Sequence, residues 1–280
     1  MVSYGCSKIH PLLINLMIVF PSAKINIGIN ITGRRPDGYH NIETIFYPLP
    51  IYDALEALPG DELTFNSSGL AIPGRIEDNL CIKGYHLIKE DHDLPPVNIH
   101  LLKHIPIGAG LGGGSSNAAY FIKLVNNLFN LKLSIDEMLD YARQLGADCA
   151  FFVENKPVFA FEKGDRFEDI ELDLSAYHIA LVMPPAHVST AEAYRGVKPA
   201  PVKQSLKELI KLPVEEWKHH IKNDFEDSVF KNHAVIRGVK AALYDAGAIY
   251  ASMSGSGASV FGIFNKKPDL SELGKTNQVF

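Results

Sequence analysis

At 280 residues, with 46% apolar and 21% charged side chains, the chain has material for one large or two ordinary packed domains. A net charge of −5 speaks against a general nucleic-acid binder, while anionic small molecules held by a few local groups remain open. The cysteines, Cys6, Cys81 and Cys149, are odd in number and widely spaced. That fits neither a disulfide framework nor a zinc site and points to a reducing, cytoplasmic compartment.

No run reaches the ~18 apolar residues of a membrane helix. Leu12 to Phe20 is apolar but short, and Asn15 interrupts it. Residues 1–16 read as a poorly ordered extension, with the first domain opening at Met17. Ile18 to Ile31 reads as one or two strands. From Lys24 on, Ile25, Ile27, Ile29 and Ile31 share one face, and Lys24, Asn26, Gly28 and Asn30 share the other. The second set suits a solvated face or a pair of groups aimed at a ligand.

Gly33 to His40 is a turn marked by Pro36 and Asp37-Gly38, and Asn41 to Leu49 returns to strand. Asp53 to Phe65 reads as a pair of strands around Pro59-Gly60-Asp61. A helix over Leu80 to Glu90 follows, with Asp78 or Asn79 as N-cap. Val97 to Leu101 alternates as a half-buried strand. Pro106-Ile107-Gly108-Ala109-Gly110-Leu111-Gly112-Gly113-Gly114-Ser115-Ser116 comes next, and Ala118, Phe121, Ile122, Val125, Leu128 and Phe129 then recur at helical spacing. Ser115 or Ser116 suits that helix's N-cap. A strand, a glycine loop and a helix N-terminus make a ready anion cradle, since bare N–H groups and the helix dipole meet the ligand and glycine lets it come close.

Ser134-Ile135-Asp136-Glu137 is a capping box opening a helix that ends at Gly146 as C′. Asp148 is a lone carboxylate before Ala150-Phe151-Phe152. It suits an N-cap, or a partly desolvated acid wanting a cation. Strands near Val158–Phe161 and Ile179–Met183 then alternate with helices near Ala191–Arg195, Ser205–Leu212, Val214–Lys222 and Val235–Asp245, as a second α+β layer. Ala251 to Phe264 is a second small-residue loop leading into a strand. The tail after Asn265 is polar and carries no signal.

Gly108-x-Gly110-x-x-Gly113 matches the dinucleotide fingerprint, but a second helix follows where that fold needs a strand. Gly274-Lys275-Thr276 ends like a P-loop, yet Asp269 stands where the leading glycine must be. The His-Arg-Asp and Asp-Phe-Gly motifs of protein kinases are missing. What remains, Pro-x-Gly-x-Gly-Leu-Gly-Gly-Gly-Ser-Ser-x-Ala-Ala, resembles the ATP-binding loop of the GHMP kinase superfamily. Pro21-Ser22-Ala23-Lys24-Ile25-Asn26 resembles its first motif and Gly255-Ser256-Gly257-Ala258 its third. Ala23 to Asn26, Arg35 to His40, Glu77 to Leu80, Leu111 to Ala119 and Gly146 to Asp148 are similar to the branch acting on 4-diphosphocytidyl-2-C-methyl-D-erythritol.

The resemblance implies a two-domain α+β fold. A ribosomal protein S5 domain 2-like unit spans residues 17–159, and a ferredoxin-like α/β sandwich spans 160–280. It implies ATP-dependent phosphorylation of a small alcohol, with ATP and Mg²⁺, no nucleic acid or membrane partner, and a monomer or homodimer. Asp148 would be the base on the substrate hydroxyl and Lys24 its partner. Asn79 and Leu80 would line the adenine pocket. Pro106, Gly108, Gly110, Leu111, Gly112, Gly113, Gly114, Ser115 and Ser116 would hold the nucleotide, with Ser116 a candidate magnesium ligand. Asn26, Gly255, Ser256 and Gly257 would contact substrate. Tyr39 and Tyr194 would sandwich the cytosine, with His40 and Thr190 as polar contacts. A mevalonate- or homoserine-type kinase and a non-catalytic nucleotide-binding module are the competing readings.

Overall fold

The computed structural model describes residues 17–280, so the extension read at residues 1–16 lies outside the described residues. The first half runs β1 (Ile18–Val19), β2 (Ser22–Arg34), β3 (His40–Tyr52), β4 (Ala54–Pro59), β5 (Thr64–Gly69), α1 (Leu80–Asp91), β6 (Val97–Lys103), α2 (Gly113–Leu128), α3 (Ile135–Leu145), α4 (Phe151–Glu154), β7 (Val158–Phe161) and β8 (Arg166–Asp169). Two four-stranded sheets result, ordered β1-β4-β6-β5 and β2-β3-β7-β8. The strands read around Pro59-Gly60 do not pair with each other. β6 inserts between β4 and β5, antiparallel to one and parallel to the other, because α1 carries the chain back across the sheet.

Local signals set the helix ends. The Asn79 side chain accepts from the Cys81 N–H at 2.9 Å and starts α1. The Ser134–Glu137 capping box starts α3, and Gly146 ends it with an extended backbone rather than the left-handed turn of a C′ glycine. α2 begins earlier than either serine predicted: its N-cap is Gly112, in left-handed conformation. Ser115 and Ser116 therefore sit inside the first turn.

β2 departs from simple alternation. Gly28, at φ +73°, makes a bulge in the β2–β3 pairing. Ile25 and Ile27 pack into one core, and Ile29 and Ile31 into another. The free edge of β2 is shared. The Lys24 N–H donates to the Leu111 carbonyl at 3.0 Å, and past the bulge the Ile29 N–H donates to the Lys222 carbonyl, also at 3.0 Å. One strand thus fastens both the glycine loop and the C-terminal layer.

The second half runs β9 (His178–Met183), α5 (Thr190–Arg195), α6 (Leu206–Leu209), α7 (Val214–His220), α8 (Glu226–Asn232), α9 (Ala234–Asp245), β10 (Tyr250–Met253), β11 (Val260–Phe264), α10 (Ser271–Gly274) and β12 (Gln278–Val279). Its antiparallel sheet has the order β10-β11-β9-β12, the βαββαβ topology of a ferredoxin-like sandwich. The tail is not structureless: β12 pairs with β9. The boundary read at 159/160 falls inside β7. The sheet of β2 and β3 runs on through β7 and β8 to Asp169, because β7 pairs with β3 and β8 with β7. The interior between the layers is continuous, with Ile25 and Ile27 from β2 in the same cluster as Trp217, Tyr250 and Phe261.

Candidate active site

The glycine loop is built by alternation. Ala109 and Leu111 are anchored in the core, while Gly108, Gly110 and Gly112 between them all adopt positive φ. At Gly110 an added Cβ would stand 2.0 Å from the Ser254 carbonyl oxygen. At Gly112 it would stand 2.8 Å from the Phe152 ring. Glycine is required there both for the left-handed backbone and for the close approach of neighbours.

These same glycines separate two cavities. One, of about 340 Å³, is lined by Asn79, Leu80, Pro106 and Gly108 through Ser115, with Arg75 and Lys103. The other, of about 440 Å³, is lined by Lys24, Asn26, Asp148, His187, Tyr194 and Ser256 among others. Gly108, Gly110 and Gly112 line both. A backbone wall without side chains divides a site rich in helix-terminal N–H groups from one holding a charged pair.

That pair is Lys24 and Asp148, with Nζ 3.3 Å from Oδ2. The ammonium also donates to Asn26 Oδ1 at 2.5 Å and to the Gly110 carbonyl at 3.2 Å, and it lies 5.0 Å from the Phe46 ring centroid. Asn26 is held in turn: its Nδ2 donates to Thr44 Oγ1 at 2.9 Å, and Thr44 donates to the Gly28 carbonyl at 2.7 Å. Ser254 joins the strand to the loop by accepting from the Asn26 N–H at 3.2 Å and donating to the Gly110 carbonyl at 2.9 Å. Asn223 braces this corner, its Nδ2 donating to the Met253 and Gly255 carbonyls, each at 2.8 Å.

Under the cavity of the glycine loop lies a second buried pair. Lys103 meets Asp53, whose other oxygen accepts the His104 and Ile105 N–H groups at 2.7 and 2.8 Å. Asn117, the fifth residue of α2, donates to the same Asp53 at 2.8 Å. Burial pulls the Lys103 ammonium below the ordinary lysine range, against the opposing pull of the Asp53 charge. The cluster pins both ends of the glycine loop.

Two family models match the chain: the GHMP kinases N terminal domain over residues 79–156 and the GHMP kinases C terminal domain over residues 205–275. The 4-diphosphocytidyl-2-C-methyl-D-erythritol kinase of Parabacteroides distasonis is 52% identical over 91% of this chain and 94% of its own. That of Cytophaga hutchinsonii is 53% identical over 90% and 94%. The chain belongs to the 4-diphosphocytidyl-2-C-methyl-D-erythritol kinase family of GHMP kinases. A crystal structure of a 4-(cytidine 5'-diphospho)-2C-methyl-D-erythritol kinase superposes with a TM-score of 0.78 at 29% identity, covering 94% of this chain and 97% of that one. The Methanococcus jannaschii mevalonate kinase, at a TM-score of 0.64 and 19% identity over 94% and 96%, shares the fold.

In this GHMP kinase the structure brings together most residues read from sequence. Lys24, Asn26, Asp148, Thr190, Tyr194, Gly255 and Ser256 line the cavity that holds the charged pair. Gly257 does not; it backs the third-motif loop against Met253. Ser116 lines neither cavity, being fully buried with its hydroxyl unpartnered. The expected aromatic pair is also rearranged. Tyr39 is 64% exposed at the hairpin tip, and the His40 ring stacks on Tyr194 with centroids 4.8 Å apart. The phenol of Tyr194, pushed up to about 12 by burial with the Asp148 charge adding, stays protonated at neutral pH.

Sequence reasoning missed His187, Ser254, Lys103 and Ile29. Gly28 inside a strand was the available signal for Ile29, since the bulge turns that side chain to the Lys24 side. Lys103 sits at an inward position of β6 but reads as an ordinary charge. His187 and Ser254 gave no local signal.

Proposed function

We propose that this GHMP kinase transfers the γ-phosphoryl group of ATP to the 2-hydroxyl of 4-diphosphocytidyl-2-C-methyl-D-erythritol, in the non-mevalonate route to isoprenoid precursors. The observation that carries the reading is the Lys24–Asp148 pair, which sits directly across the Gly108–Gly112 wall from the cavity of the glycine loop. A tertiary alcohol is a poor nucleophile and must give up its proton as the phosphoryl group moves. Asp148 accepts that proton. Lys24, fixed by Asn26 and Gly110, steadies the negative charge that gathers between alcohol and phosphate. The N–H groups of the glycine loop and of the start of α2 cradle the phosphates, and Asn79 and Leu80 bound the adenine end. Tyr194 offers its ring face to the cytosine.

Mg²⁺ accompanies the nucleotide and neutralises charge on its phosphates. Among the described residues no cluster of three histidine, cysteine or carboxylate groups could hold it. The ion would then rely on phosphate oxygens and water, since the orphaned Ser116 hydroxyl is buried and borders neither cavity. No helix of the described chain is long and apolar enough to cross a membrane. A cytoplasmic monomer or homodimer goes with this reading.

The decisive experiment is ATP consumption by the purified protein against the cytidyl acceptor, mevalonate and homoserine. Turnover confined to the cytidyl acceptor supports the reading. Faster turnover of either other alcohol, or none of the three, overturns it.

A further inference from the structure

The acceptor-side cavity has an unbalanced set of charges. Of the residues lining it, only Lys24, Asp148 and His187 are acidic or basic side chains. Lys24 is committed to the Asp148 end of the cavity, where its ammonium meets Asp148, Asn26 and Gly110. An acceptor carrying a diphosphate would add at least two negative charges beside the Asp148 carboxylate, and that arrangement needs a further counter-group.

His187 is placed to be that group. It is exposed at the cavity mouth and makes no hydrogen bond or ion pair among the described residues. Its ring stands over the loop backbone at Gly108, where an added Cβ would lie 3.2 Å from Cε1 and 3.4 Å from Nδ1. The ring offers at least one N–H in either protonation state. In the same cavity Thr190 Oγ1, at the start of α5, and Ser256 Oγ, on the loop between β10 and β11, lie 3.5 Å apart. A molecule with its base on Tyr194 and its alcohol at Asp148 lays its phosphates in the cavity that His187, Thr190 and Ser256 also line.

We infer that His187 binds the diphosphate of the acceptor by donating a ring N–H to a phosphate oxygen, with the Thr190 and Ser256 hydroxyls as neutral partners. This rests on the functional reading above. It makes His187 a residue that selects a phosphate-bearing acceptor over a bare alcohol, without a part in proton transfer.

The test is steady-state kinetics of His187→Ala, His187→Gln and His187→Arg, with both substrates varied. Removal of one charge-assisted hydrogen bond at a half-open site raises KM for the cytidyl acceptor about five- to tenfold in His187→Ala. The KM for ATP and kcat stay as in the unaltered enzyme. His187→Gln keeps a donor and loses less, and His187→Arg restores binding. An unchanged acceptor KM, a rise in ATP KM of the same size, or a fall in kcat alone overturns the inference. Unaltered enzyme that fails to turn over the cytidyl acceptor removes the functional reading, and this inference with it. Turnover by unaltered enzyme with a silent His187→Ala removes the inference alone. Because His187 is exposed and unpaired, melting temperatures of the three variants match that of the parent.

Discussion

Lys24 and Asp148 stand 3.3 Å apart yet differ sharply in burial, their side chains being 3% and 37% exposed. The lysine is fixed from below by Asn26 and Gly110, while the carboxylate keeps an open side toward the cavity. The asymmetry suits a fixed cation beside a carboxylate that a substrate can reach. Asp148→Asn keeps the shape and the hydrogen-bonding capacity toward Lys24 but cannot accept the alcohol's proton. We expect kcat to fall by about 10²- to 10⁴-fold. ATP binding, measured by calorimetry, stays intact because Asp148 lies on the other side of the glycine wall. Turnover close to the parent's would remove Asp148 from the base role.

The aromatic end gives a prediction of unequal effects. Tyr194 lines the cavity, meets Phe225 in a T-shaped contact at 4.8 Å and stacks with the His40 ring at 4.8 Å. Tyr39 is exposed, with the Lys163 ammonium over its ring at 5.5 Å. Loss of a stacking ring costs about 1–3 kcal/mol per base, so Tyr194→Ala raises the acceptor KM roughly tenfold or more. Tyr39→Ala has the smaller effect, and Tyr194→Phe is nearly silent because it keeps the ring and the hydroxyl makes no hydrogen bond among the described residues. The ATP KM is the internal control in all three. An equal rise in both KM values would place these rings outside base recognition.

How much of this was legible beforehand depends on what each residue answers to. The capping box at Ser134, the Asn79 cap and the ferredoxin-like C-terminal unit were readable, since local chemistry or a family motif specified them. Alternation alone put Ile29 on the wrong side of β2, because it cannot register a bulge that inserts one residue into the pairing. β8, α8 and β12 escaped for a different reason. They are short, and β8 and β12 are largely exposed, so tertiary pairing rather than intrinsic pattern makes them. The meeting of Lys24 with Asp148, 124 positions along, came from family resemblance, as no periodicity links them.

The shared wall makes one glycine unusually sensitive. Gly110 has φ +75° and no room for a Cβ, the Ser254 carbonyl oxygen lying 2.0 Å from where it would stand. Gly110→Ala must shift either the loop or the Ser254 turn, and backbone strain of this kind costs on the order of 1–3 kcal/mol. The melting temperature falls, and KM rises for both substrates, because the displaced segment borders both cavities. Gly114→Ala is the contrast. Nothing lies within 4 Å of its Cβ position and it sits in the first turn of α2, so the ligand-free melting temperature holds or rises. Equal melting temperatures for the two variants would contradict the wall geometry.

The Asp53–Lys103 pair is the remaining place where one substitution should reach the site from a distance. Both side chains are buried, and one Asp53 oxygen takes the N–H groups of His104 and Ile105 while the other takes Lys103 and Asn117. Breaking a buried pair leaves the surviving charge without compensation, which costs about 3–5 kcal/mol. Asp53→Asn leaves the Lys103 ammonium in that position, already disfavoured by burial. Asp53→Asn with Lys103→Met removes both charges and should recover part of the loss, as apolar replacement of buried pairs often does. Chemical denaturation of the two variants measures the difference directly. ATP KM tracks it, since the pinned ends belong to the nucleotide-side loop, while Asp148 and Lys24 keep their spacing. A double variant no more stable than Asp53→Asn alone would show that the backbone contacts of Asp53, rather than its charge pairing, hold the loop.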